Sequence, residues 1–396
     1  MSNRNMVVVL AVSAFIGMTL IVSFDLLMPQ IAEDLGRDVS SIAQISMVMY
    51  VIGASVGILL GPLADHYGLR RTMMSGGVLL PLSAVTTALS TGYWMLLLSR
   101  LPAGIGIMGA VALAVAASRL PEGERRKGIG WISTTVPLAA IAGSPGMGLI
   151  AHQTSWRVSY IVLASVFILL VILIWRFIPA DRPWPTSRFK TGNVVTAYAP
   201  IVRHPPSVLL HLADMFRVAS TWFIFIFLSA FLVQTHNFTL QQVSVTYTGI
   251  GIMYVLGTRL GNGDVRSITL PWLVVITTIA MIPLGTLFLI DVFSMLVTLV
   301  ILGSYTFLSG IGFPALTVLI SEESRGGQGA TMMLRRATLS ISQAVAAGGG
   351  GVLLASGGFS AIGFGVAISG LAAVGFALIA IRLSARSVFQ PTGAGE

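Results

Sequence analysis

The chain has 396 residues, of which 55% are hydrophobic and only 9% charged. Soluble domains carry about a quarter charged residues, so this composition excludes a soluble globule and points to an all-α protein that crosses a membrane many times. The formal charge of +9 is spread over many loops rather than gathered in one patch, which argues against a nucleic-acid partner.

Apolar runs near the ~20 residues that cross a ~30 Å hydrocarbon core succeed one another along the chain. The first, 6–30, is too long for a signal-peptide core and lacks a small-residue cleavage site, so it is expected to be a retained span. It carries Asp25 in SFDLLMPQIAEDLG, four residues before Pro29. A carboxyl withdrawn from water holds its proton more tightly, so a buried Asp25 can load and release protons in a working pH range. The competing reading has it snorkel to the outer surface beside Glu33 and Asp34.

The second span, 42–64, runs into the charged turn GPLADHYGLRR (61–71), and the third follows at 72–92. Gly61 lets helices approach and Gly68 permits a tight reversal. Asp65 can accept from the N–H groups of a neighbouring helix end, and Arg70 and Arg71 hold the turn in the cytoplasm. The fourth span, 95–118, holds Arg100 six residues in, so this charge is expected to face a cavity and have a partner. The fifth, 128–151, contains AAIAGSPGMGL, and the sixth, 157–179, begins next to SWRVSY.

Residues 180–206 form the longest polar stretch, with five prolines and a cluster of basic residues, as expected of a cytoplasmic linker along the membrane surface. Six further spans follow at 207–234, 241–260, 268–290, 293–320, 328–355 and 358–382. The expected organisation is a bundle at 1–180, a linker at 181–206 and a second bundle with a short tail at 207–396. In the seventh span Asp214 and Arg217 lie three apart on one helical face, which permits mutual pairing. They form an inner gate or second titrating site, or only anchor the start of the span. Arg335 and Arg336 open the eleventh span. They attract an anionic substrate or a lipid headgroup, or, as the preferred reading, snorkel to the cytoplasmic surface. Gln343 is expected to face the cavity, and the glycines of AVAAGGGGVLLASGG to allow close helix approach and bending.

With the N-terminus inside, 19 of the 23 basic residues fall in cytoplasmic segments and two, Arg37 and Arg157, outside, which predicts cytoplasmic termini. The halves look related: GIGIMGAVALAVAASR (104–119) and GIGFPALTVLISEESR (310–325) share GIG and, fourteen residues on, Ser-Arg. Such a duplication is a recurrent architecture of secondary transporters.

GPLADHYGLRR resembles the second-to-third loop signature of the major facilitator superfamily, with Gly61, Leu63, Ala64, Asp65, Gly68, Arg70 and Arg71 in register and His66 and Leu69 departing from it. The resemblance implies two pseudo-symmetric six-helix bundles that rock about a central cavity, with Asp65 latching the second span to the eleventh. RLPAGIGIMGA (100–110) resembles the fourth-span motif of proton-coupled members. AAIAGSPGMGL resembles the antiporter motif in Pro145 and Gly148, while Ser144 and Leu149 stand where glycines are usual. SWRVSY resembles a motif at the start of the sixth span in drug exporters. Together these resemble the twelve-helix drug:proton antiporter branch. The likeness implies that Asp25 and Arg100 couple protons, and Asp214 is the candidate second titrating site. Cavity candidates are Tyr50, Met108, Arg217, Trp222, Tyr247, Tyr254 and Gln343.

The expected function is secondary active transport in a bacterial inner membrane, by a monomer that exports amphiphilic small molecules in exchange for protons. Proton-coupled import, dedicated export of a metabolite, siderophore or sugar, and lipid translocation are the alternatives. Small molecules, protons and membrane lipids are the expected partners. An enzyme is not expected, since P-loop, H-E-x-x-H and G-x-S-x-G patterns are absent, and no cofactor is called for. There is no cysteine, and the five histidines show no ligand spacing, so no metal is expected.

Overall fold

Backbone N–H and C=O groups cannot stay unpaired in lipid, so long apolar segments close them within helices. The computed structural model describes residues 3–106, 108–180, 191–262, 269–290, 292–323 and 328–388, and all regular structure among them is helical. The first bundle holds α1 (Asn3–Asp34), α2 (Val39–Tyr67), α3 (Leu69–Ala88), α4 (Tyr93–Ile105) and α5 (Met108–Arg119). It continues with α6 (Glu122–Leu138), a π-helical turn (Ala139–Gly143), α7 (Ser144–Gln153) and α8 (Trp156–Phe177). A short helix, α9 (Thr191–Val202), precedes α10 (Pro205–His236), α11 (Leu240–Asn262), α12 (Leu270–Phe288), α13 (Met295–Glu322) and α14 (Gln328–Val388). The predicted linker falls partly outside the described residues, at 181–190.

The helices map onto twelve crossings once three interruptions are recognised. The fourth crossing is α4 plus α5, divided at Gly106, and Pro102, lacking an N–H, sits in the turn before it. The fifth is α6 plus α7, divided by the π turn. The eleventh and twelfth are both carried by α14, whose 61 residues break at Gly357 and Gly358. Gly358 adopts φ 71°, a conformation that only glycine takes without strain. At ~1.5 Å per residue the helix is about three hydrocarbon thicknesses long, so a chain reversal is required.

Within the first bundle α1 packs on α5, α6 and α8, and α3 packs on α8; within the second, α10 lies against α14, and α13 against α11 and α12. Three seams join the bundles: α2 with α14, α1 with α10, and α7 with α11. Ser229 Oγ of α10 donates to the Leu26 carbonyl of α1 at 2.6 Å, and Thr248 Oγ1 of α11 to the Ile141 carbonyl in the π turn at 2.9 Å. The glycines of α14 make its seam possible: a Cβ on Gly348 would strike Met47, and one on Gly351 would lie 3.0 Å from the Ser40 carbonyl. The seam is therefore tight toward the predicted outer face, as the glycine-rich sequence led us to expect. Gly351→Leu should pry α2 from α14 at a cost of about 1–3 kcal/mol, the range for overpacking. A lower thermal midpoint in detergent checks this, and an unchanged midpoint would mean the seam is slack.

The charged turn has a physical basis. Gly68 adopts φ 94°, as the predicted tight reversal requires. Arg70 Nη2 donates to the Trp175 carbonyl at 2.5 Å, placing a cation at the C-terminal end of α8. Arg71 is also engaged. The side chains of Gly61 and Asp65 lie outside the described residues, and so does the predicted latch.

Candidate functional site

Asp25 is 2% exposed and lies well inside the first bundle, so the snorkelling alternative does not hold. Ser46 Oγ of α2 donates to its Oδ1 at 3.4 Å. Tyr50, one helical turn further along α2, brings its hydroxyl toward the same carboxyl without reaching regular hydrogen-bond geometry. Arg100 completes the group from α4. It is fully buried, and its predicted partner is not an ion pair. Its guanidinium stacks 4.3 Å from the Phe24 ring centre, and Nη2 reaches the Met49 sulfur at 3.3 Å. Nε and Nη1 have no hydrogen-bond partner among the described residues. Asp25 stands within electrostatic reach, so the cation is balanced at a distance rather than by contact. Tyr160 of α8, also buried, brings its hydroxyl toward Arg100 without reaching regular hydrogen-bond geometry.

The second bundle holds a different arrangement. Asp214 of α10 is paired not with Arg217 but with Arg335 of α14, Nε to Oδ2 at 2.7 Å and Nη2 to Oδ1 at 3.4 Å. The two side chains are 0% and 8% exposed, so Arg335 does not snorkel to the surface. Its guanidinium also lies 4.7 Å from the Phe313 ring centre, and Tyr254 packs against Phe313 at 6.3 Å. Two charges withdrawn together neutralise each other, whereas an extended arginine at that depth would have to drag water with it. Arg217, a turn away from Asp214, turns instead toward α12 and α13. Nε donates to Thr278 Oγ1 at 3.2 Å and Nη2 to the Ser309 and Leu308 carbonyls at 3.0 and 3.3 Å. Gly312 leaves the space for that guanidinium. The three-residue spacing put both groups near one face, and their partners on different neighbouring helices pull them apart.

Between the bundles, Tyr50 of α2 and Trp222 of α10 meet edge to face at 5.9 Å. Arg336 of α14 is half-buried and lies within electrostatic reach of Tyr50, together with Asp25 and Arg100. Seven residues on, Gln343 is 5% exposed and its Oε1 has no partner among the described residues. Tyr247 is buried too, its hydroxyl donating to the Phe225 carbonyl at 3.2 Å, so it braces α11 against α10. Met108 packs against Gly17, Gly76 and Gly77 of α1 and α3, as a filler inside the first bundle. Ser144 and Pro145 are buried at the start of α7, and a Cβ on Gly148 would meet Ser244 Oγ and Leu26. This motif lies on the α7–α11 seam.

The sequence reading passed over Ser46, Tyr160 and Thr248. Ser46 and Tyr50 are four apart on α2, so their shared face was detectable from spacing once Asp25 was placed opposite. Among the described residues no cluster of three or more His, Asp or Glu side chains is arranged to hold a metal ion.

Comparison with known proteins agrees with this architecture. The family model described as Major Facilitator Superfamily matches residues 8–347. The chain is 27% identical over 268 residues to the MFS-type transporter YtbD of Bacillus subtilis (strain 168), covering 66% of this chain and 65% of that one. It is 26% identical over 251 residues to an MFS-type efflux pump of Mycolicibacterium smegmatis (strain ATCC 700084 / mc(2)155), covering 60% and 57%. The chain thus spans less than two thirds of the length of each of these relatives. A crystal structure of a bacterial homolog of the human lysosomal transporter Spinster, inward-facing and unoccupied, superposes with a TM-score of 0.72 over 100% of both chains at 14% identity, which speaks to the fold.

Proposed function

The chain belongs to the major facilitator superfamily, and from that premise we propose that it is a proton-coupled antiporter that exports amphiphilic small molecules across a bacterial inner membrane. As a member of that family it is an integral membrane transporter of small molecules and not an enzyme. The observation that carries the finer reading is the buried carboxyl of Asp25, bonded by Ser46, with Tyr50 and Arg100 near it and the α1–α10 seam close by. A lone carboxyl in a membrane interior is costly while charged and cheap while protonated. Loading and losing a proton there changes how α1 sits against α10, one residue from the bond between Ser229 and the Leu26 carbonyl. Alternating access then rocks the bundles as units, with the seams at α2–α14, α1–α10 and α7–α11 closing one side. The division into 1–180, 181–206 and 207–396, with both termini in the cytoplasm, belongs to the same proposal, and so does a monomeric carrier. Efflux is the direction named for the Mycolicibacterium relative.

Everted membrane vesicles test the reading. With an acid lumen, amphiphilic fluorescent probes should accumulate inside only when the protein is present, and a protonophore should abolish the accumulation. Protein-dependent accumulation that ignores the proton gradient, or none with any probe, would overturn it.

A further inference from the structure

Counting the charges that face one another at the centre of the molecule decides what kind of cargo fits. Tyr50 lies within electrostatic reach of one carboxyl, Asp25, and two guanidiniums, Arg100 and Arg336. Asp214 does not alter this balance, because Arg335 neutralises it by direct contact inside the second bundle. The central group therefore carries a surplus positive charge with Asp25 ionised.

Arg336 is the half-buried part of that surplus. It follows Arg335 immediately, so it points about 100° away around the helix, off the face that meets Asp214. Ser340 and Gln343 share its side of α14, and Gly53 of α2 lies opposite Ser340. Arg336 makes no ion pair among the described residues. In the same polar group the Tyr50 hydroxyl, directed at Asp25, is buried without regular hydrogen-bond geometry, and Arg100 keeps Nε and Nη1 without a hydrogen-bond partner among the described residues. Trp222 supplies an aromatic wall through its edge contact with Tyr50. Hydroxyl and guanidinium donors beside an apolar wall suit a molecule with an anionic end and an apolar body. A cationic amphiphile would have only Asp25 to meet, and would meet two arginines with it.

We propose that Arg336 and Tyr50, with Arg100 supplying field from behind, form an anion-accepting subsite, so that the cargo carries a carboxylate, sulfonate or phosphate group. The inference rests on reading the space between the bundles as the cargo chamber. An inside-negative membrane potential drives such a cargo outward.

The test uses three probes with one apolar body: pyrenebutyrate, the uncharged pyrenebutanol and a pyrenebutyl trimethylammonium. Binding to the purified full-length protein in nanodiscs of uncharged lipid is read by fluorescence polarisation. Pyrenebutyrate should bind most tightly and the ammonium probe most weakly. Arg336→Gln should weaken pyrenebutyrate by about tenfold or more, the size of a lost charge-assisted hydrogen bond, and leave pyrenebutanol unchanged. Arg336→Lys should restore most of the loss, which a merely structural role for the side chain would not produce. Tightest binding of the ammonium probe, or equal loss for all three probes in Arg336→Gln, overturns the anion assignment. Vesicle accumulation of the ammonium probe alone would leave proton-coupled export standing and remove this inference. Arg336-dependent binding of pyrenebutyrate with no accumulation of any probe would do the reverse.

Discussion

Asp25→Asn should reduce proton-driven accumulation in everted vesicles to the level of vesicles lacking the protein, while the variant still inserts and folds. Asn keeps the shape of the side chain and can still accept from Ser46, but it cannot exchange a proton. It also removes a carboxyl from a site 2% exposed, where a charge is expensive, which offsets the loss of the charge that balances Arg100 at a distance, so the thermal midpoint should change little. Loss of transport with an intact midpoint therefore isolates proton coupling from stability. Full proton-driven transport by Asp25→Asn would remove the carboxyl from the mechanism.

The second large effect is expected at the pair between α10 and α14. Asp214→Asn or Arg335→Gln alone leaves the other charge buried without its partner, a change that costs about 3–5 kcal/mol. The double variant, with no charge left to strand, should recover most of that loss. Unfolding midpoints for the four proteins in one detergent complete the cycle. Single variants that unfold like the parent would show that this pair does not hold the second bundle together.

Much of the architecture was legible because membrane spans announce themselves by length and apolarity. That signal alone marks eight stretches among the described residues, one of them the 55-residue Ala330–Ser384. The third, fifth and eighth crossings are richer in glycine, serine and threonine, and they read as weaker apolar windows bounded by glycine, proline and charge. Gly68 was readable because a charged turn between two apolar runs needs a residue free to take positive φ. The interruptions at Gly106 and the π turn were not, since Pro and Gly in a membrane helix are compatible with an unbroken one. Asp25 stood out in the sequence as an acid inside an apolar run and is buried, yet its partner Ser46 depends on how α1 and α2 rotate against each other. The error at Asp214 has the same origin. A local rule pairs residues three apart, whereas the actual partner lies 121 positions away on another helix.

The adjacency of Arg335 and Arg336 also constrains motion. One is tied to its own bundle through Asp214, and the next residue looks across toward Tyr50. Any twist of α14 about its axis that advanced Arg336 would drag Arg335 off its carboxylate and strand two charges in a dry interior. The pair works as a key in a shaft, locking the helix against rotation while leaving it free to tilt with its bundle. Tilting of α14 is therefore shared with α10 through that ion pair.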